Sequence, residues 1–274
     1  EIDETFEYPI PLIEKLSPSV LGITEFRSEK DIEVASKIRS NHKLLRDLNI
    51  KLISEFHTTN DRNLFNTNGE GLPVLKGENI HQYNPWFSTE ISYWIEEVEG
   101  RERLVKKELS RIEKIAIEYG RSNGFKQKEL RSYVEQVVGT ASEKFAKREF
   151  ILDYEVPRLA YRAIASSTNE RTLIAAIAPE KCFLIHSLNY VRPVEYHISE
   201  TDIQQIIIPL DRIYFLVGLM NSFVLDYYLR MRVSANINTF FIYELPIPDA
   251  SEESEKRIIS LAKDLMKDPS NNQK

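Results

Sequence analysis

One segment, Val156 to Ile177, constrains the fold more than any other. Its two apolar runs, rich in alanine, isoleucine and leucine, flank the polar turn sequence SSTNER. In a strand of period two, Arg158 and Arg162 fall on one face and Tyr161 falls on the other. Such a strand can bury one face and present guanidinium groups to a phosphate or a guanine edge. Composition alone favours the simpler alternative, an edge hairpin whose arginines are solvated.

Three further segments follow a recognisable order. They read EFHTTNDRNLF (55–65), LPVLKGENIHQYNP (72–85) and LVGLMNSFVLDYYLRMRVSANINTFFIYELPIP (216–248). Together with the hairpin segment, they resemble the TaqI-like C-terminal specificity domain of bacterial adenine-specific DNA methyltransferases and fused restriction-modification enzymes. The resemblance extends over most of the chain from Lys51 to Pro248. Residues 86–155 match poorly, and so do both ends.

The resemblance implies sequence-specific recognition of double-stranded DNA in the major groove. In that family a separate N-terminal catalytic domain or subunit binds S-adenosylmethionine and methylates adenine, while the specificity domain positions the target base. We therefore expect this chain alone to be no enzyme and to hold no cofactor. Its expected partners are double-stranded DNA and the methyltransferase domain. The parent protein is expected to be a site-specific adenine methyltransferase of a type II restriction system, alone or fused to an endonuclease.

The resemblance also suggests which side chains contact DNA. The first group surrounds the SSTNER turn and consists of Arg158, Arg162, Arg171, Ser167, Thr168 and Asn169. A second group consists of Lys76, His81 and Gln82, since lysine and glutamine can read guanine and adenine edges. The alternative for each arginine is an ion pair with a neighbouring carboxylate, such as Glu155 or Glu170.

Charge counts mildly against a nucleic-acid partner, because the chain carries a net charge of -6. The distribution is uneven, however: residues 1–34 are acidic, and residues 101–131 are basic. A DNA-binding surface needs only a local basic patch. The basic side chains of the second region form either a solvated helix face or a phosphate track. They are Arg103, Lys106, Lys107, Arg111 and Lys114.

Cysteine usage and hydropathy indicate a cytoplasmic protein without a membrane partner. Cys182 is the only cysteine, which excludes an internal disulfide and suits a reducing compartment. The longest apolar stretch, Ile213 to Leu225, is too short to span a bilayer and contains Asn221 and Ser222. No signal peptide is visible. A start at glutamate rather than methionine is consistent with a part of a longer protein and equally with processing.

Sequence motifs of catalysis are missing. A glycine-rich cofactor turn after a strand is absent, and none of the 18 lysines follows an acidic residue at the spacing of metal-dependent restriction nucleases. The tetrapeptide Asn84-Pro85-Trp86-Phe87 is similar to the adenine-gripping motif of amino-methyltransferases. We interpret it as a surface turn with a buried aromatic. His57, Glu55 and Asp61 could form a metal cluster, but a capped turn at 58–60 is the favoured interpretation.

Hydrophobic periodicity predicts an α+β fold with a mixed, largely antiparallel sheet and packed amphipathic helices. Predicted helices cover residues 28–48, 101–119, 127–145, 212–231 and 252–266, with Ser28 and Asp31 as a capping box. Predicted strands cover residues 51–56, 74–83, 157–165, 171–178, 182–192, 203–208 and 240–245. The predicted units are a lead-in with a helix (1–50), a DNA target-recognition domain (51–249) and a C-terminal helix with a tail (250–274).

A second hypothesis belongs to a different class. The chain could be a non-catalytic accessory subunit of a restriction-modification or phage-defence system. In that case its amphipathic helices 101–119 and 252–266 would pack against a partner protein. Loss of duplex binding on arginine-to-alanine changes would favour the DNA hypothesis.

Overall fold

The structure is a computed structural model that describes residues 7, 9–18, 21–22, 24, 26–40, 42–165, 169–233 and 235–267. Helices and short strands alternate irregularly along the chain. Most strand pairs are antiparallel, and one pair is parallel. The predicted α+β class is therefore confirmed.

The described residues form eight α-helices and eleven strands. The helices are α1 (Ile10–Leu16), α2 (Glu29–Arg39), α3 (Glu97–Ser122), α4 (Gln127–Ala146), α5 (Leu210–Met220), α6 (Phe223–Arg230), α7 (Thr239–Tyr243) and α8 (Glu252–Lys267). The strands are β1 (Lys43–Leu44), β2 (Leu52–Ile53), β3 (Leu72–Leu75), β4 (Trp94–Ile95), β5 (Arg158–Arg162), β6 (Ala175–Ala178), β7 (Phe183–Leu184), β8 (Leu188–Val191), β9 (Val194–Ile198), β10 (Ile203–Ile207) and β11 (Pro246–Ile247).

The central sheet has the order β2-β8-β5-β6 and is antiparallel throughout. A second sheet, β4-β3-β7, contains the parallel pair β3–β7. Strands β9 and β10 form a two-stranded hairpin, and β1 pairs with β11. One β-bridge, between Phe56 and Ile185, connects the chain after β2 to the turn after β7.

Both faces of the central sheet are covered. The face of Leu159, Tyr161 and Ile177 belongs to a large core that also contains apolar residues of α5 and α6. The opposite face, which carries Ala160 and Tyr190, packs with residues of β3 and β7 in a second core. A third core lies between α3, α4 and the β9–β10 hairpin. Strands buried on both faces read as continuous apolar runs, as in the AAIA sequence of β6.

The two ends of the chain share the large core with the central sheet. Buried Leu16, Ala35 and Ala262 belong to the same cluster as Leu159. Helix α8 packs on α5, where Gly218 leaves room for the Ile258 side chain. The predicted division at residues 50 and 250 stays a prediction. Among the described residues, no helix has both the length and the apolar character needed to cross a membrane.

Several predicted helix boundaries are confirmed. Ser28 and Asp31 form the predicted capping box at the start of α2, although this helix ends at Arg39 rather than near residue 48. Helices α3, α4 and α8 lie where the periodicity places them. The predicted helix 212–231 is two helices, because the chain breaks at Asn221 and Ser222. Strand β9 was not predicted.

The predicted strand at 240–245 is wrong, because this segment contains helix α7. Period-two alternation groups Phe240 with Ile242, and both are apolar. The structure instead buries Ile242 completely within α7, and Leu245, which follows the helix, is also completely buried. Phe240 remains half-buried at the surface.

Candidate nucleic-acid interface

The four segments that carry the family resemblance meet at one end of the central sheet. Ile53 lies opposite Tyr190 and Arg162 lies opposite Leu188, so β2 and β5 both end where β8 begins. Strand β6 begins at the same end, because Ala175 lies opposite Tyr161. Antiparallel pairing therefore gathers the chain after β2, the chain after β5 and the chain before β6 at one place.

The second sheet brings the LPVLKGENIHQYNP segment to the same end. Leu75 and Leu184 are paired in the parallel strands β3 and β7, so the residues that follow them are neighbours. The hydroxyl of Ser187 accepts a hydrogen bond from the Gly77 amide at 3.0 Å. The Ser187 carbonyl accepts another from the Ala163 amide, just after β5. One tight turn thus joins two of these segments.

The expectation that Arg158 faces outward is wrong. Its side chain is 0% exposed and forms an ion pair with Glu55, which is also 0% exposed, at 3.0 Å. It donates a second hydrogen bond to the Cys182 carbonyl at 2.8 Å, and its guanidinium lies over the Tyr190 ring. The physical reason is the second sheet, which covers the face of β5 that was predicted to be free.

Glu55 holds two segments together. Its carboxylate accepts a hydrogen bond from the Leu184 amide at 2.6 Å as well as from Arg158. Burial raises the pKa of Glu55, while the Arg158 charge and the Leu184 amide oppose that rise. This ion pair links the EFHTTNDRNLF segment to β5 and β7, and its position allows no contact with a ligand at the surface.

Arg171 is also buried, at 8% exposure, which corrects the expectation for this residue. Its Nη2 donates to the carbonyl of Asn221, its Nε lies 3.9 Å from an Asp226 oxygen, and its guanidinium lies 4.4 Å from the centre of the Phe223 ring. The Asp226 carboxylate also accepts hydrogen bonds from the amides of Thr172 and Leu173. Arg171 therefore fastens the chain before β6 to helices α5 and α6.

Arg162 is the arginine of the three that reaches the surface. It lies at the last position of β5, where the cover of the second sheet ends, and it is half-buried. Its Nε and Nη2 both donate to the Ile80 carbonyl, at 3.1 and 2.6 Å. Burial lowers the pKa of Arg162, and Glu78 opposes this effect. Among the described residues its Nη1 has no acceptor, so this amino group of the guanidinium can donate to a ligand.

Of the other predicted contact residues, His81 and Gln82 follow Ile80, which Arg162 binds, Asn169 is exposed, and two lie outside the described chain. His81, half-buried, lies against the Phe87 ring at 4.7 Å, and burial and the Arg162 charge lower its pKa. Gln82 donates to the Asn221 carbonyl at 3.2 Å. Five predicted contact residues lie at the surface, four of them partly exposed and Asn169 exposed. We call this set the recognition edge, and it consists of Lys76, His81, Gln82, Arg162 and Asn169. Ser167 and Thr168 lie outside the described residues.

The tetrapeptide Asn84-Pro85-Trp86-Phe87 forms a surface turn, as predicted. The Asn84 side chain accepts a hydrogen bond from the Trp86 amide at 2.9 Å. The expected buried aromatic is wrong: Trp86 is 39% exposed and Phe87 is 45% exposed. Two aromatic rings therefore stand at the surface beside His81.

Sequence reasoning missed three buried polar residues that hold the recognition edge in place. Asn79 donates to the carbonyls of Ser88 and Glu90 and so closes the loop that carries His81 and Gln82. Asn221 pairs its side-chain amide with both backbone groups of Ala175, and Asp226 caps the chain before β6. The available signal was the polar interruption of apolar stretches, which is costly in a core unless the polar group is hydrogen-bonded.

Helix α3 places its basic residues on two different sides. Arg103 and Lys107 bind the buried Asp61 at 2.7 and 3.4 Å, near the end of the central sheet. Lys106 instead lines a groove between α3 and α4, together with Val98 and Phe145. The helix is therefore not one uniform basic face.

The predicted capped turn after Glu55 is present. The Asp61 carboxylate accepts a hydrogen bond from the His57 amide at 2.9 Å, and the Asp61 amide donates to the His57 carbonyl. Within the described ranges, no three residues of the types His, Cys, Asp and Glu are grouped to hold a metal ion. Glu55 is bound to Arg158 and Asp61 to Arg103, so both carboxylates already have cationic partners.

Comparison with models of known protein families gives no match. Comparison with curated protein sequences also gives none. Among solved structures the chain is similar to the type IIG restriction endonuclease BpuSI, with a TM-score of 0.42 and 11% sequence identity. The match covers 86% of this chain and 28% of that one, so the chain spans less than a third of that enzyme's length. A similarity of this degree is loose, and it does not assign an activity.

Proposed function

We propose that the chain is the DNA target-recognition domain of a cytoplasmic restriction-modification adenine methyltransferase. One observation carries the proposal: the four segments with the family resemblance converge at one end of the central sheet and there support the recognition edge. The methyltransferase domain, which would bind S-adenosylmethionine, is proposed to lie elsewhere in the parent protein or in a partner subunit.

The recognition edge has the chemistry to read bases. Within the described residues the Nη1 amino group of Arg162 has no acceptor, and arginine donates to the O6 and N7 acceptors of guanine. Gln82 donates through Nε2 to the Asn221 carbonyl, and its amide oxygen is an acceptor that can pair with adenine N6. Because buried Asn79 and Asn221 fix the backbone beneath them, these side chains are held before DNA arrives. Preorganised contacts of this kind lose less entropy on binding.

The proposal is tested by selecting duplexes from a random pool with the purified chain and measuring the affinity of the selected site. Arg162→Ala is expected to weaken binding of that site by about 10- to 100-fold, the cost of one base contact of about 1–3 kcal/mol. Binding of unrelated duplexes should change little. Arg131→Ala is the matched control, because Arg131 is a well-exposed arginine on α4 whose partner is Glu135.

Two outcomes would contradict the proposal. The first is a folded chain that binds no duplex even at low salt, which would favour the accessory-subunit hypothesis. The second is site-selective binding that Arg162→Ala leaves unchanged, which would move the base contacts away from the recognition edge. Circular dichroism of each variant ensures that a loss of binding does not reflect unfolding.

A further inference from the structure

Beside the recognition edge lies a layer of cations above buried acids. Asp61 and Glu108 are 1% and 6% exposed. Of the cations that they hold, Arg103, Lys107 and Arg111 keep side-chain exposures of 41%, 24% and 30%, whereas Arg192, also bound to Glu108, is buried. Both acids are therefore inside and three of their four cations outside, so an approaching ligand meets these three cations first. Coulomb attraction at such a surface favours an anion.

Two exposed histidines extend this layer. The imidazole rings of His57 and His186 are stacked, with their centres 5.5 Å apart and their planes 14° from parallel. The Ser54 hydroxyl lies 3.0 Å from Nε2 of His57. The other ring nitrogen, Nδ1, has no hydrogen-bond partner among the described residues. The two histidines, with Arg103, Lys107 and Arg111, are called the histidine–cation surface.

The histidine–cation surface is continuous with the recognition edge. Lys107 donates to the Glu55 carbonyl at 2.6 Å, two residues before His57. His186 precedes Ser187, whose backbone and hydroxyl bind the chain next to Arg162 and Lys76. A duplex whose bases contact Arg162 therefore extends towards His186 and His57 along the same end of the sheet.

We propose that the histidine–cation surface binds phosphodiester groups of duplex DNA and that His57 takes up a proton when it does so. The inference rests on the proposed function and adds the position of the sugar-phosphate backbone. A phosphodiester carries one negative charge and only acceptor oxygens, which matches guanidinium, ammonium and imidazolium donors.

The proton uptake follows from the groups around His57. Burial lowers its pKa, and so do the charges of His186 and Lys107, while Asp61 on its own loop opposes them. The free imidazole is therefore neutral near pH 7. A phosphate beside the ring favours the charged form and raises the pKa. Binding must then become tighter as the pH falls from about 8 towards 6, since His⁺ alone titrates there at ordinary pKa values.

The test uses a duplex that the wild-type chain binds, in titration calorimetry with buffers of different ionisation enthalpy. The wild type is expected to take up protons on binding, and its affinity should fall with salt. His57→Gln should abolish the uptake, and Arg103→Gln should reduce the slope of log affinity against log salt by about one, the effect of losing one phosphate contact. Arg131→Gln on α4 is the control, with unchanged uptake and slope.

The outcomes separate this inference from the proposed function. If the wild type binds no duplex, both fail together. If the wild type binds a selected site through Arg162, but His57→Gln keeps the proton uptake and Arg103→Gln keeps the salt slope, only the inference is overturned. Melting temperatures of the variants verify folding. His186→Gln provides a second variant, because it removes the stacked partner without touching the Asp61 network.

Discussion

Replacing Arg158 with methionine separates two roles that an arginine at this position can have. A DNA-reading arginine would be dispensable for folding, whereas a buried ion-pair partner would not. The structure assigns the second role, because Arg158 and Glu55 are both completely buried and 3.0 Å apart. Methionine has a similar length, so the substitution removes the charge without opening a large cavity.

The expected cost follows from what remains behind. In Arg158→Met, the Glu55 carboxylate keeps only the Leu184 amide as a partner. Removing one member of a buried ion pair costs about 3–5 kcal/mol, mainly because the other charge is left in a medium of low polarity. The Cys182 carbonyl also loses its donor. For a domain whose total stability is about 5–15 kcal/mol, such a loss is large.

A double variant isolates the unpaired charge. Glu55→Gln combined with Arg158→Met removes both charges of this pair, and the glutamine oxygen can still accept from the Leu184 amide. We expect the double variant to recover part of the loss, with a coupling energy of about 1–3 kcal/mol. Urea unfolding followed by far-UV circular dichroism measures all four proteins at one pH. Arg162→Met is the matched control on the same strand, and we expect it to cost about 1 kcal/mol.

Two results would refute a structural role for Arg158. If Arg158→Met unfolds at the wild-type urea concentration and instead loses DNA binding, Arg158 faces a ligand and the ion pair with Glu55 does not form. If Arg158→Met fails to fold at all, Arg158→Lys keeps a positive charge and should lie between the wild type and the methionine variant. A lysine variant equal to wild type would also contradict the argument, because lysine cannot reproduce both hydrogen bonds.

Two smaller predictions concern the backbone and a buried acid. Gly71→Ala should lower the stability measured by urea unfolding more than Gly69→Ala does. Both glycines have positive φ, which costs an alanine about 1–2 kcal/mol. A Cβ at position 71 would also lie 2.3 Å from the Ile95 oxygen, which adds about 1–3 kcal/mol. Equal losses would contradict the close approach. Burial raises the pKa of Asp153 to about 6 despite Arg192. The protonated carboxyl therefore stabilises the folded state fully below pH 3.8, and this stabilisation is lost as the pH rises through about 6. Between pH 4 and 7, the free energy of unfolding of Asp153→Asn should therefore rise by about 3 kcal/mol relative to that of the wild type. A difference between the two proteins that does not depend on pH would refute this.

The hairpin of β5 and β6 shows how far the sequence predicts the fold and where it stops. Period-two alternation correctly places Arg158 and Arg162 on one face and Tyr161 on the other. It does not indicate what covers each face, because the covering strands β3 and β7 are remote in sequence. One local signal was available: Ala160 lies between the two arginines on their face, and β6 is apolar at every position. Such a pattern is typical of a strand buried on both sides.

Local signals predicted helices well where the helix and its cap are determined by neighbouring residues. The capping box of α2 and the amphipathic pattern of α3 are examples. The break between α5 and α6 depends instead on Asn221, whose side chain is hydrogen-bonded to Ala175 in a distant strand. No periodicity within the helix contains that information. The candidate site was therefore located by its segments, while the exposure of each side chain needed the tertiary structure.

The distribution of buried charge separates the residues that hold the fold together from the surface residues that can be changed. Glu55, Arg158 and Asp226 belong to the segments that carry the family resemblance, and each is buried with partners from another segment. Changing one of them leaves its partner buried without an opposite charge, which costs several kcal/mol of stability. Substitutions at exposed positions such as Asn169 usually change stability by less than about 0.5 kcal/mol. The fold can therefore keep its buried ion pairs while exposed side chains beside them change, because the two sets of residues contribute to stability through different contacts.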